Sequence, residues 1–158
     1  MYSKILVPLD GSSFSACILE HVKAIALGCR VQEIILLRVL EPAESILHTF
    51  YVPRELSSEL KTADDKAKSE AEGYLAEVAS DLKKEGVEAK PVLLMAPKVD
   101  EEILDYAAKN GVGLIIMSTH GKSGVSRWAF GSVADRVVRN STVPVLMASP
   151  AGCRISPD

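Results

Sequence analysis

The chain has 158 residues, 47% of them hydrophobic and 25% charged, a balance that fits a folded globular chain and excludes intrinsic disorder. A net charge of −3 supplies no basic field for nucleic-acid binding, and no apolar run is long enough to span a bilayer. Cys17, Cys29 and Cys153 show neither metal-ligand nor redox spacing, and no signal peptide fits before the first apolar run, so reduced thiols in a cytoplasmic protein are expected.

Ile5-Leu6-Val7 is a short apolar run that stops at Pro8-Leu9-Asp10-Gly11-Ser12, the pattern of a buried strand. Phe14, Ile18, Val22 and Ile25 then recur at helical spacing, with Gly28 as the expected stop. Ile34 to Val39 forms the second strand. From Glu41 to about Ser58 no period holds, and Pro42 and Pro53 interrupt the chain. A connection this long is usually functional, and Ile46, Leu47, Phe50 and Tyr51 make it apolar enough to flank a ligand crevice as a lid. Leu60, Ala63, Ala67, Ala71, Leu75, Val78 and Leu82 draw the narrow stripe of a long charged helix ended by Gly86. Pro91 to Met95 is the third strand, and Val99, Ile103 and Ala107 mark a helix stopped by Gly111. Leu114 to Met117 is the fourth strand, Gly131 to Asn140 the fourth helix, and Val143 to Met147 the last strand. Residues 1–148 read as one domain, and Ser149 to Asp158 as a flexible tail.

Strands that are apolar without alternation are covered on both faces. Alternating with helices, they predict an α/β fold: a five-stranded parallel sheet with helices on both faces, of Rossmann-like type. Ligands bind such sheets at the carboxyl ends of strands, near a switch in strand order. Two carboxyl-end loops are equipped for this, Pro8 to Ser13 and Ser118 to Ser132. If their strands are neighbours, two helix amino termini converge on one crevice.

The second loop carries the clearest chemistry. Leu114-Ile115-Ile116-Met117 empties into Ser118-Thr119-His120-Gly121-Lys122-Ser123-Gly124, with Arg127 further on, and Gly131-Ser132 opens the next helix. Glycines let backbone approach an anion, and first-turn N–H groups with the helix dipole hold it; Gly131 and Ser132 are the expected donors. Lys122 and Arg127 add positive charge. His120 stands beside the loop, as a phosphate contact or a loop-stabilising hydrogen bond. A Walker A site is excluded, because the glycine it needs five residues before Gly121 is Ile116. Asp64-Asp65 and Glu101-Glu102 point in different directions on their helices and read as solvated surface charge.

Lys4-Ile5-Leu6-Val7-Pro8-Leu9-Asp10-Gly11-Ser12 resembles the opening of the universal stress protein family. Met117-Ser118-Thr119-His120-Gly121, Gly131-Ser132 and the closing Val143-Pro144-Val145-Leu146-Met147 resemble its carboxyl half. The resemblance runs over roughly Ser3 to Ala148. It implies an adenine-nucleotide-binding α/β fold and a homodimer. The family's ATP-binding branch has a glycine, two residues, a second glycine, nine residues, then Gly-Ser or Gly-Thr. Gly121 and Gly131-Ser132 match that spacing, whereas Ser118 stands at the first glycine. Serine is tolerable there unless the backbone needs a positive φ, so weakened or altered binding is expected before abolished binding.

By the same resemblance, Pro8, Asp10 and Val39, with Met117 and Ser118, would line the adenosine part, and Leu9 between the first two joins the expected site. Gly121, Gly131, Ser132 and Val133 would surround the phosphates, which Mg2+ or Mn2+ can bridge through Ser132 or water. Lys122, Ser123, Gly124 and Arg127 join the set by charge and position. Asp10 can also cap the following helix, and the two roles are compatible. The expected function is a nucleotide-binding stress-response module with at most slow ATP hydrolysis. The alternatives are an ATP-independent dimeric interaction protein and a slow ATPase. The expected dimer pairs the edge strand Val143 to Met147 with a second copy, since Pro144 donates no N–H and suits an edge.

Overall fold

The structure, a computed structural model, describes residues 2–47, 54–119 and 131–148. Their order is β1 (Lys4–Pro8), α1 (Ser13–Ala16), α2 (Leu19–Cys29), β2 (Glu33–Leu40), a 3-10 turn (Ala43–Leu47), α3 (Arg54–Lys84), β3 (Lys90–Met95), α4 (Val99–Lys109), β4 (Leu114–Ser118), α5 (Ser132–Asn140) and β5 (Val145–Ala148). The strands form one five-stranded parallel sheet in the order β3-β2-β1-β4-β5. The chain builds outward from β1 to β3, then returns to the other side of β1 for β4 and β5. That reversal is the switch point, and β1 and β4 are neighbours across it, with Ile5 opposite Leu114 and Leu6 opposite Ile115.

Side chains of a strand alternate between faces, so each strand feeds two cores. Val7, Leu36 and Ile116 pack against Ile18, Val22, Leu75 and Leu82 of the α1, α2 and α3 layer. Leu6, Leu37 and Ile115 pack against Ile103, Ala107, Ala134 and Val137 of α4 and α5. Ile5, Leu6 and Val7 are fully buried, each contributing roughly 1.5–3 kcal/mol relative to exposure. This double coverage is why the strands read as unbroken apolar runs.

Five expectations need correction. The first helix is broken between Ala16 and Leu19, although Ile18 stays buried at the break. It ends at Cys29, and Arg30 rather than Gly28 takes the left-handed position, at φ 52°, with its N–H donated to the Ala26 carbonyl. The connection after β2 is shorter than Glu41 to Ser58, because residues 43–47 form the 3-10 turn and α3 starts at Arg54. Along α3 only Ala71, Leu75, Val78 and Leu82 of the expected stripe are buried, and Ala63 is exposed. A helix of 31 residues is about 46 Å long, more than these strands span, so it cannot lie on the sheet along its whole length. Cys17 is disulfide-bonded, whereas Cys29 is free and exposed. Sequence spacing does not report the few ångströms between Cα atoms that permit such a bond.

No helix among the described residues is long and apolar enough to cross a membrane. The expected lid residues Phe50 and Tyr51 and the tail Ser149 to Asp158 lie outside the described residues.

Candidate functional site

The switch point opens into a cavity of about 310 Å³. One wall is apolar: Leu37 and Val39 from β2, Val99 and Ile103 from α4, and Met117 from β4. Pro8, Leu9 and Asp10 continue the rim from β1, and Ser118 and Thr119 leave β4 on the other side. Gly131, Ser132, Val133 and Ala134 close it with the start of α5. Of the described lining residues only Asp10 is charged.

Two loops give the rim its shape. The Leu9 N–H continues the β1–β2 ladder to the Leu37 carbonyl at 2.8 Å, and the chain then turns at Gly11. Asp10 Oδ1 accepts from the backbone N–H of Ser12 at 2.9 Å and from its hydroxyl at 2.6 Å. Ser12, in extended conformation, caps α1 by accepting the Ser15 N–H at 3.1 Å. Asp10 therefore stiffens the turn, and the helix is capped by Ser12.

The amino end of α5 differs from the expectation in one respect. The Gly131 N–H is donated to the Thr119 carbonyl at 2.8 Å, so it is spent on closing the two ends of segment 120–130. Gly131 is the N-cap, and no described side chain caps α5. The first-turn donors lining the cavity are thus those of Ser132, Val133 and Ala134, which have no carbonyl within the helix to meet. A group with negative charge is favoured there by the helix dipole as well.

Ser118 belongs to β4, opposite Ala148 of β5, and is buried. Among the described residues other than glycine, only Arg30 has a positive φ, so the backbone at position 118 does not require glycine.

Nine of the expected site residues meet at this cavity: Pro8, Leu9, Asp10, Val39, Met117, Ser118, Gly131, Ser132 and Val133. His120, Gly121, Lys122, Ser123, Gly124 and Arg127 lie outside the described residues. Sequence reasoning missed Ser15, Leu37, Val99, Ile103, Thr119 and Ala134. Leu37 was within reach, since it shares a face with Val39 two residues on.

The model of the universal stress protein family matches residues 1–149. The chain belongs to that family. Universal stress protein MJ0577 of Methanocaldococcus jannaschii is 31% identical to it, over 93% of this chain and 94% of that protein. The solved structure of MJ0577 superposes with a TM-score of 0.79, covering 94% of this chain and 96% of that one. Universal stress protein YxiE of Bacillus subtilis is 32% identical, over 93% and 99% of the two chains. A universal stress protein of Archaeoglobus fulgidus, solved in complex with dAMP, shares the fold at a TM-score of 0.63 and 23% identity, covering 92% of this chain and 97% of that one.

Proposed function

We propose that this universal stress protein binds an adenine nucleotide, foremost ATP, at the switch point and acts as a stress-response module through nucleotide-dependent conformation or partner binding. The adjacency of β1 and β4 carries this reading, because it brings the Asp10 turn and the amino end of α5 to one cavity. The slot between Val39, Val99, Ile103 and Met117 suits a purine, which needs apolar faces and few polar contacts. Asp10 faces the ribose in this reading, and the N–H groups of Ser132, Val133 and Ala134 take the phosphates. His120, Gly121, Lys122, Ser123, Gly124 and Arg127 complete the phosphate side. The dAMP held by the Archaeoglobus fulgidus protein is a ligand of the same class.

Among the described residues no group of three His, Cys, Asp or Glu side chains could hold a metal ion alone. Mg2+ or Mn2+ would therefore arrive with the nucleotide, held by phosphate oxygens and the Ser132 hydroxyl, and would neutralise phosphate charge. Asp10 is committed to Ser12, which favours a binder over a hydrolase. Two copies pair through β5 in the same reading.

The test is chromatography of the small molecules released by denaturing the purified protein, followed by calorimetric titration with ATP, ADP and AMP. Co-purified or titratable adenine nucleotide supports the reading. An empty protein that binds none of the three overturns it.

A further inference from the structure

The turn that carries Asp10 rests on a side chain from the far side of the sheet. Arg38 sits between Leu37 and Val39 on β2, and both neighbours line the cavity. Alternation sends Arg38 to the opposite face. There its guanidinium carbon lies 5.7 Å from the ring centroid of Tyr74 on α3, within cation–π range. Gly11 sits against the same guanidinium. A Cβ built on Gly11 would stand 2.3 Å from Arg38 Nη1, 3.0 Å from Cζ and 3.2 Å from Nη2. Gly11 has φ +78°, which favours glycine there, and its backbone lies directly against the end of the Arg38 side chain. The ring face of Tyr74 is the part that engages Arg38.

We propose that Arg38, held over the Tyr74 ring, is a positioning residue of the ligand site: it props the backbone at Gly11 and so presents Asp10 to the bound nucleotide. This rests on the adenine-nucleotide reading of the cavity. Methionine at 38 would keep the aliphatic stem and lose the planar cation, leaving Gly11 without its support. The effect acts on the adenosine half, so AMP and ATP lose affinity by the same factor. A contact to phosphate would penalise ATP more.

The experiment is calorimetric titration of AMP and ATP into the unmodified protein, Arg38→Met, Asp10→Asn and the double variant, with melting temperatures recorded without ligand. Arg38→Met is expected to weaken both nucleotides by roughly five- to tenfold, and to add nothing once Asp10 is Asn. Tyr74→Leu should reproduce the loss, and Tyr74→Phe, which keeps the ring face, should retain the affinity. A loss that persists undiminished beside Asp10→Asn, or one larger for ATP than for AMP, overturns the positioning role. So does unchanged affinity in Arg38→Met when the unmodified protein binds. An unmodified protein that binds neither nucleotide overturns the underlying site reading instead. Hydrogen exchange of the ligand-free proteins then still judges the prop: faster exchange at residues 10–12 in Arg38→Met supports it, and equal exchange refutes it.

Discussion

Gly131 sits at φ −57° and ψ 150°, a conformation open to any residue, at the lip of the cavity. A side chain can be added there without backbone strain, and it would occupy the space that the proposed reading gives to a phosphate at the start of α5. Gly131→Val is expected to weaken ATP by more than about tenfold, or about 1.4 kcal/mol, with the circular dichroism of the fold intact. Titration of both proteins checks this, and equal affinities would remove the lip from the site. Tyr74 gives a prediction in pH. Burial raises its pKa above the ordinary 10.0, with the Asp10 and Glu77 charges acting the same way and Ser15 and Arg38 opposing. The unfolded chain ionises first, so the stability held by the neutral phenol is complete below about pH 10 and is lost as pH rises through the folded value. Lys23, raised by its hydrogen bonds to Glu20 and Glu85, titrates in the same direction. Urea midpoints measured from pH 8 to 11 should therefore decline, and less steeply in Tyr74→Phe. Parallel declines would show that the phenol plays no part.

Elements were legible where one force dominated. β1, β2 and β4 are covered on both faces, so their apolar runs could be nothing but buried strands. The stops at Gly86 and Gly111 fell where left-handed backbone was needed, at φ +83° and +64°. The break between α1 and α2 was not legible, since Ile18 and Val22 keep helical spacing straight through it. Nor was the contribution of α4, because the apolar stripe Val99, Ile103 and Ala107 says that a face is buried and not which loops it meets. Strand order decides that, and strand order is long-range information. Ile103 now has two tasks, packing with Leu37 and Ile115 in the core and lining the cavity. Ile103→Ala should cost roughly 2–5 kcal/mol, and Ile103→Val roughly 0.5–1.5 kcal/mol. Urea denaturation measures both. A loss below 1 kcal/mol for the alanine variant would mean that the cavity already isolates Ile103 from the core.

The two edges of the sheet are unlike each other. β3 begins with exposed Lys90 and Pro91, a charge and a residue without an N–H, which discourage pairing. β5 presents Val145, Leu146 and Met147, all part-buried, and Pro144 falls just before it, its carbonyl accepting the Ile115 N–H. The strand is thus Val145–Ala148, starting two residues later and ending one later than the expected Val143 to Met147, and among the described residues its outer side carries no such guards. An isologous dimer through β5 would close this edge with no site left for a third copy. Sedimentation equilibrium at micromolar concentration is expected to give twice the chain mass. A monomer would refute edge pairing, and Val145→Lys, checked for folding, should convert the dimer to that state.

The pairing of β1 with β4 also sets the order in which the molecule can acquire its ligand. One wall of the cavity comes from residues 8–10 and the facing one from residues 131–134, so the two are joined only after most of the chain is in place. Contacts of such long separation form late, after their loop-closure entropy has been met. A nascent chain halted before β4 has half a cavity and no affinity to gain. If the proposed nucleotide binds, it would act as a clasp on the finished protein, stabilising it by about 2.7 kcal/mol at a hundredfold excess over Kd while giving incomplete chains nothing. A cell rich in nucleotide would in this way sort whole copies from truncated ones.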